Sequence, residues 1–358
     1  MTESETQLIG LIGWPVEHSV SPAMHNAAFE ATGLPWHYTL LPTPPGRIKA
    51  ALTGLKAQGY RGANVTAPHK QAVMPHLDEI ADLARAIGAV NTIVAQEGQL
   101  IGYNTDGDGF LAALREVGFE PAGRRALVLG AGGAARAVVY ALAQSGCAVT
   151  IHNRTVQRAA QLAHHMQDAG VHAPVTWLPV MATLSNLDLA RFDLLVNATP
   201  VGMWPQTDAS PWPETLPLSS QWTVFDLVYN PTETRLLAQA CAAGATTVGG
   251  LGMLVHQGAL AFERWTGHSP PREVMQAACQ QALEATGTQA AADEASSCLS
   301  VGSTACNGDA SSRPGMLPST DSTASGCLCR TGCGLCSIRS ENLLTAPTNW
   351  DGEKCYAS

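Results

Sequence analysis

The sequence predicts an α/β protein of two domains, each built on a mainly parallel sheet, with the last helices returning to the first domain. Three observations predict it. Short apolar runs alternate with helical stretches between about residues 8 and 285, an order that sets strands side by side and helices over their faces. One such run, Ala126-Leu127-Val128-Leu129, enters the turn Gly130-Ala131-Gly132-Gly133 and then a helix opening at Ala134. The chain of 358 residues is long enough for two separate cores.

The stretch from Ala126 to Arg158 organises the rest. Its glycines let the backbone turn sharply and approach a ligand with no Cβ in the way, while the helix that follows points its N-terminus at the turn. That geometry suits a pyrophosphate. A second apolar run, Ala148-Val149-Thr150-Ile151, completes a βαβ unit. At its end, where an acid would take a ribose 2′-hydroxyl, stand Asn153, Arg154 and Thr155, with Arg158 beyond them. No carboxylate is there to repel a 2′-phosphate, and two guanidiniums can clamp one. The unit therefore predicts a Rossmann-type domain that binds NADP rather than NAD, over residues 107–250.

Composition excludes several functions. A hydrophobic content of 46% with 14% charged residues is that of a globular protein. The net charge of -9 argues against nucleic acid as a partner. Met1-Thr2-Glu3-Ser4-Glu5 is acidic and polar, unlike a signal peptide, and no apolar run reaches membrane-spanning length. The expected address is the cytoplasm, without membrane attachment. Oligomeric state is left open, a homodimer included.

Taken in order, Leu8-Ile9-Gly10-Leu11-Ile12 reads as the first strand. The loop Trp14 to Ser21 leads to a helix with Pro22 in its first position and Ser21 as N-cap. Ser21 is thus either a cap or, with Ser19, one of two hydroxyls offered to an anion. Tyr38 to Leu41 is the second strand, Arg47 to Gln58 a helix ended by Gly59, and Gly62 to Thr66 the third strand, stopping at Pro68 with Lys70 opening the next helix. A helix over about Glu79 to Ile87 precedes strands at 88–94 and 100–106, separated by a turn at Glu97-Gly98. Gly107 to Val117 is a helix crossing between the domains. Beyond the βαβ unit, strands at 192–199 and 223–229 end in polar residues, where an open parallel sheet puts its ligand. Thr234 to Ala243 is a helix closed by Gly244, Thr246 to Val248 a last strand, and Met253 to Trp265 and Pro271 to Ala285 two helices that close the cleft.

Nine ordered segments resemble one family. They are His18-Ser19-Val20-Ser21-Pro22, Asn64-Val65-Thr66-Ala67-Pro68-His69-Lys70, Gly88-Ala89-Val90-Asn91-Thr92, Asn104-Thr105-Asp106-Gly107, Gly130-Ala131-Gly132-Gly133-Ala134, Asn153-Arg154-Thr155, Asn197-Ala198-Thr199-Pro200, Asp226-Leu227-Val228-Tyr229-Asn230-Pro231 and Gly252-Met253-Leu254-Val255-His256-Gln257. Together they resemble the shikimate dehydrogenases, over about Leu8 to Ala285. The resemblance implies a reversible, NADPH-linked reduction of 3-dehydroshikimate to shikimate on the route through chorismate to the aromatic amino acids. It also implies a catalytic pair, Lys70 and Asp106. The physics agrees: hydride reaching a ring ketone leaves a developing alkoxide, which the Lys70 ammonium can protonate while Asp106 holds the ammonium and accepts from a neighbouring hydroxyl.

The substrate is a carboxylate bearing several hydroxyls, so its site needs many neutral donors and acceptors and few full charges. By the same resemblance Ser19, Ser21 and Tyr229 take the carboxylate, and Thr66, Asn91, Asp106 and Gln257 the ring oxygens. Asn64 either joins them or holds its loop. Asp82, Gly130, Ala131, Gly132, Gly133, Ala134, Asn153, Arg154, Thr155, Arg158, Asn197, Thr199, Leu227 and Gly250 border the cofactor. His18 and His69 are assigned no chemistry.

The first domain is expected over residues 1–106, the returning helices over 251–288, and a tail over 289–358. Seven of the ten cysteines lie after residue 297 in a stretch rich in Ser, Gly, Thr and Ala. Cys327-Leu328-Cys329 and Cys333-Gly334-Leu335-Cys336 carry four thiols, but no hydrophobic framework surrounds them, so the tail is read as disordered and without metal. Two alternatives stay open: a broader quinate/shikimate dehydrogenase using NAD, and a non-catalytic NADP-binding redox sensor signalling through that tail.

Overall fold

The apolar run of β1 (Gln7–Gly13) lies inside a sheet because it pairs on both sides, in parallel with β2 (Trp36–Pro42) and with β3 (Gly62–Val65). A computed structural model describes residues 6–179, 184 and 187–285. The sheet continues through β5 (Thr92–Gln96), β6 (Gln99–Tyr103) and β4 (Glu79–Ile80), in the order β2-β1-β3-β5-β6-β4. Three of its five pairings are parallel; β5 runs antiparallel to both neighbours. The β5–β6 hairpin turns at Glu97 and Gly98, with φ of +52° and +77°, the two left-handed residues that a tight hairpin of this twist demands.

Helices α1 (Ser21–Ala31), α2 (Ile48–Ala57) and α3 (Asp82–Ile87) complete this lobe. α4 (Asp106–Glu116) then carries the chain away: its first residue stays in the cleft while Phe110, Ala113 and Leu114 are buried in the second lobe.

The second sheet holds β7 (Arg125–Leu129), β8 (Ala148–His152), β9 (Val175–Trp177), β10 (Leu194–Asn197), β11 (Thr223–Asp226) and β12 (Thr246–Val248). All five pairings are parallel, in the order β12-β11-β10-β7-β8-β9. This is the doubly wound order of a Rossmann domain, and its topology reverses between β7 and β10, where such a sheet opens its crevice. Helices α5 (Gly133–Gln144), α6 (Val156–Asp168) and α7 (Arg235–Ala242) cover it.

α8 (Gly250–Thr266) leaves β12 and re-enters the first lobe, where Val255, Ala259, Phe262 and Trp265 pack with Met24, Phe29 and Tyr38. A helix over 272–285, α9, adds Met275, Cys279 and Leu283 to the same core. Where α4 and α8 cross, Gly109 lets the backbones meet, since a Cβ there would lie 2.8 Å from the Gln257 nitrogen. Only glycine fits that crossing.

Three local expectations are corrected. α1 starts one residue earlier than read, with Val20 rather than Ser21 in the capping position and no side-chain cap; the Ser21 hydroxyl is turned to Ser19 instead. Lys70 does not open a helix. Pro68 and Pro75 interrupt the stretch, which folds as turns and the short 3-10 segment Met74–His76. Glu79 and Ile80 are an edge strand beside β6, so the helix read over 79–87 is confined to α3. The tail expectation, with its cysteine pairs, falls on residues outside those described.

Candidate active site

Lys70 is set by its backbone before its side chain. The Lys70 carbonyl accepts from the Val90 N–H at 2.8 Å, pinning the turn after β3 to the strand region that carries Asn91. Its stem lies over the first residue of α5: a Cβ on Gly133 would come within 2.7 Å of the Lys70 Cβ. A lysine of one lobe thus rests on the glycine turn of the other.

The Lys70 ammonium donates to Asp106 Oδ2 at 2.7 Å, with side-chain exposures of 15% and 4%. Water reaches this pair poorly, so its field is screened less than that of a surface ion pair. Asp106 is the first residue of α4, where the helix dipole favours an anion. Its backbone N–H donates to Asn104 Oδ1 at 3.0 Å, which fixes where the carboxylate begins.

Asn91 joins the elements around that carboxylate. Its Nδ2 lies 2.8 Å from Thr105 Oγ1, 2.9 Å from Asp106 Oδ1 and 3.1 Å from Gln257 Oε1. Two amide hydrogens serve three acceptors, which leaves one acceptor able to turn towards a ligand. Asn91 Oδ1 accepts from Thr92 Oγ1 and from the Thr105 N–H. Asn64 supports the same cluster from behind, donating to the Asn91 carbonyl at 3.2 Å and to Thr92 Oγ1 at 3.3 Å. Of its two readings, holding the loop is the one these contacts describe. Thr66, half-buried, follows at the end of β3, with its backbone N–H donated to the Ile12 carbonyl.

A second group is built of hydroxyls. Ser19 Oγ donates to Ser21 Oγ at 3.2 Å, and the Ser21 N–H donates to Ser19 Oγ at 3.3 Å. The Tyr229 phenol adjoins Ser19, and burial raises its pKa. Tyr38 was not anticipated: its hydroxyl adjoins Ser21 and donates to Asn64 Oδ1 at 2.8 Å, and burial holds it well above the ordinary phenol value. Its only signal in sequence was its place on an apolar strand. Both phenols stay neutral; the single Tyr38 proton goes to Asn64, so Tyr229 is the phenol that suits a carboxylate. His25 was missed as well. Its ring is fully buried and stacks on Tyr38 at 4.6 Å; burial lowers its pKa to about 3 and keeps it uncharged. His69 Nε2 donates to the Thr43 carbonyl at 2.6 Å, a loop tie.

The glycine turn fits a pyrophosphate on its own geometry. Gly130 has φ of +114° and sits where a Cβ would meet the Ala198 carbonyl at 2.8 Å; a Cβ at Gly132 would face open space. Among the described residues, no backbone carbonyl accepts from the N–H groups of 131–135, so these donors at the positive end of α5 are free for anionic oxygens. Asn153 Nδ2 donates to the Thr155 carbonyl at 2.8 Å, which shapes the turn into α6. Arg154 and Arg158 are exposed beside that turn and form no ion pair among the described residues.

The remaining candidates separate. Asn197 is fully buried and its amide is spent inside the protein, on Asp226 and the Val201 carbonyl as donor and on Thr199 as acceptor. It bears on the cleft through Thr199. Leu227 and Gly250 meet at the start of α8, where a side chain on Gly250 would run into the Leu227 carbonyl. Asp82 is exposed at the start of α3, and no hydrogen bond among the described residues ties it to the glycine turn.

Asp226 anchors both loops of this lobe. It accepts from Asn197 Nδ2 at 2.8 Å, the Val228 N–H at 3.0 Å and Thr234 Oγ1 at 2.7 Å. Burial nevertheless pushes its carboxyl from 3.8 up to about 6. The folded chain therefore binds more proton than the unfolded one between those values. This residue's stabilising contribution is complete below the lower value and lost as pH rises through the upper one. Asp226→Asn removes that slope: between about pH 4 and about pH 7 the wild type loses up to about 3 kcal/mol relative to the variant. Thermal unfolding of both across this range checks it; parallel curves would refute it.

Three family descriptions match the chain: "Shikimate dehydrogenase substrate binding domain" over residues 11–93, "Shikimate / quinate 5-dehydrogenase" over 112–200 and "Shikimate 5'-dehydrogenase C-terminal domain" over 250–280. The shikimate dehydrogenase (NADP(+)) of Moorella thermoacetica is 49% identical over 285 residues, covering 79% of this chain and 96% of its own. The chain belongs to the shikimate dehydrogenase family. Among solved members, a shikimate dehydrogenase in complex with NADP+ is 44% identical, with a TM-score of 0.72 over 79% of this chain and 98% of its own. The shikimate 5-dehydrogenase of Thermus thermophilus, in complex with NADP(H) and shikimate, is 42% identical, with a TM-score of 0.68 over 77% of this chain and all of its own. A shikimate dehydrogenase must bring a proton donor to a ketone beside a nicotinamide. In this chain Lys70 lies against the glycine turn.

Proposed function

We propose that this chain is an NADP-dependent shikimate dehydrogenase, an oxidoreductase that interconverts 3-dehydroshikimate and shikimate. A single observation carries the reading: the Lys70 ammonium, 2.7 Å from Asp106, stands at the turn whose free N–H groups suit a dinucleotide. NADPH, when bound, supplies the hydride. Lys70 gives its proton to the oxygen that gains charge, and takes one back in the reverse direction. Asp106 keeps the ammonium aimed and accepts from the adjacent hydroxyl. Asn91 and Gln257 orient the ring oxygens with Thr66, while Ser19, Ser21 and Tyr229 hold the carboxylate with neutral donors. Asn153, Arg154, Thr155 and Arg158 take the 2′-phosphate.

Residues 1–106 form the substrate side in this reading, 107–250 the cofactor side, and 251–288 the returning helices. Among the described residues no helix is long and apolar enough to cross a membrane. Cys147 and Cys279 are buried and in no disulfide among the described residues, which suits a reducing cytoplasm.

The test is cofactor reduction by the purified protein with shikimate, NADP against NAD. Reduction of NADP is expected, with kcat/KM above that for NAD by roughly tenfold or more. No turnover with either cofactor would remove the assignment, and a preference for NAD with quinate would replace it with the broader dehydrogenase.

A further inference from the structure

An aromatic contact crosses the mouth of the cleft. The His18 and Trp204 rings have centroids 4.1 Å apart and planes inclined at 57°, a tilted pair in direct contact. His18 lies on the loop between β1 and α1 in the first lobe; Trp204 lies on the loop after β10 in the second. Neither residue has a part in the chemistry above.

Each partner is tied to the hydroxyl group of the site by one short link. His18 precedes Ser19, whose N–H donates to the Val16 carbonyl at 3.0 Å and whose hydroxyl donates to Ser21. The Trp204 N–H donates to the Asn230 carbonyl at 2.9 Å. Asn230 follows Tyr229, and the Tyr229 phenol adjoins Ser19. The links close a ring that passes from one lobe to the other twice, once through the rings of His18 and Trp204 and once through Ser19 and Tyr229. The same two loops expose Trp14, Val201 and Met203 to 43%, 36% and 45%.

We propose that Trp204 is a positioning residue: packed against His18, it holds the Ser19–Ser21 loop against Tyr229, so that the carboxylate subsite is complete only while the lobes touch. This rests on the reading that Ser19, Ser21 and Tyr229 take the substrate carboxylate. The contact holds the loop and touches no reacting atom, so its loss weakens substrate binding without slowing proton transfer.

Two measurements test it. In steady-state assays, Trp204→Ala raises the KM for shikimate about threefold to tenfold, the range one aromatic pair supplies. Values of kcat and of the KM for NADP stay within about twofold. Trp204→Phe, which keeps a ring, restores the shikimate KM, and His18→Ala on an exposed side chain reproduces the Trp204→Ala effect without adding to it in the double variant. The second measurement needs no turnover. Acrylamide quenching of the Trp204 emission, taken as wild type minus Trp204→Phe, increases in His18→Ala. An unchanged shikimate KM in both single variants, an equal loss of NADP affinity, or unchanged quenching would each overturn the proposal. Failure of the wild type to oxidise shikimate would instead strike the functional reading, while the quenching result would still decide whether the contact forms.

Discussion

Lys70→Ala lowers kcat by about 10² to 10⁴, the span of a lost general acid and base. The size follows from how alone this ammonium is at the cleft: it is the amine that stands against the glycine turn, and its partner Asp106 is a carboxylate that holds rather than replaces it. Lys70→Met separates chemistry from packing, because it keeps most of the stem over Gly133 while removing the proton. The two variants should share the fall in kcat and keep the affinity for NADPH, measured by fluorescence titration. If Lys70→Met turned over at the wild-type rate, the proton would have to come from elsewhere.

Removing both Arg154 and Arg158 lowers kcat/KM for NADP by about 100-fold and leaves that for NAD within about threefold, so that the preference collapses. The two guanidiniums are exposed and unpaired with any described carboxylate, so the unliganded protein gives up no ion pair when they bind a phosphate. Their loss is felt only by the cofactor that carries the extra phosphate. Single variants and salt dependence sharpen the test: the NADP effect should shrink as ionic strength rises, because exposed charges are screened. Equal losses for NADP and NAD would show that the arginines shape the turn into α6 instead.

Short-range signals in the chain were enough for much of this. A run of apolar residues, a glycine turn and a helix start lie within a dozen positions of one another, and the physics that couples them is local: φ freedom at Gly130, free N–H groups at the start of α5 and two arginines just past β8. The 2′-phosphate preference could be read because it depends on which side chains follow one strand. Lys70 in a helix was misread for the converse reason. Its conformation is set by the backbone hydrogen bond from Val90, 20 positions away, and by the prolines at 68 and 75, and not by its neighbours' helix propensity. The edge strand at Glu79–Ile80 likewise exists only because β6 is there to pair with it.

What residue order settled without coordinates is the α/β layout, the nucleotide turn and the types of side chain available for acid–base work and anion binding. Distance was settled by folding. Lys70 meets Asp106 across 36 positions and Asn91 meets Gln257 across 166, and no spacing rule spans such intervals: the first needs β3 and β6 in one sheet, the second needs α8 to return and cross α4 at Gly109. Folding also sorted the candidates. Asn197 is consumed inside the protein while Tyr38, an apolar-looking strand residue, delivers a hydroxyl to the serines. Side-chain chemistry is a property of the residue, but whether a polar group faces ligand or protein depends on which neighbours, distant in the chain, have already satisfied it.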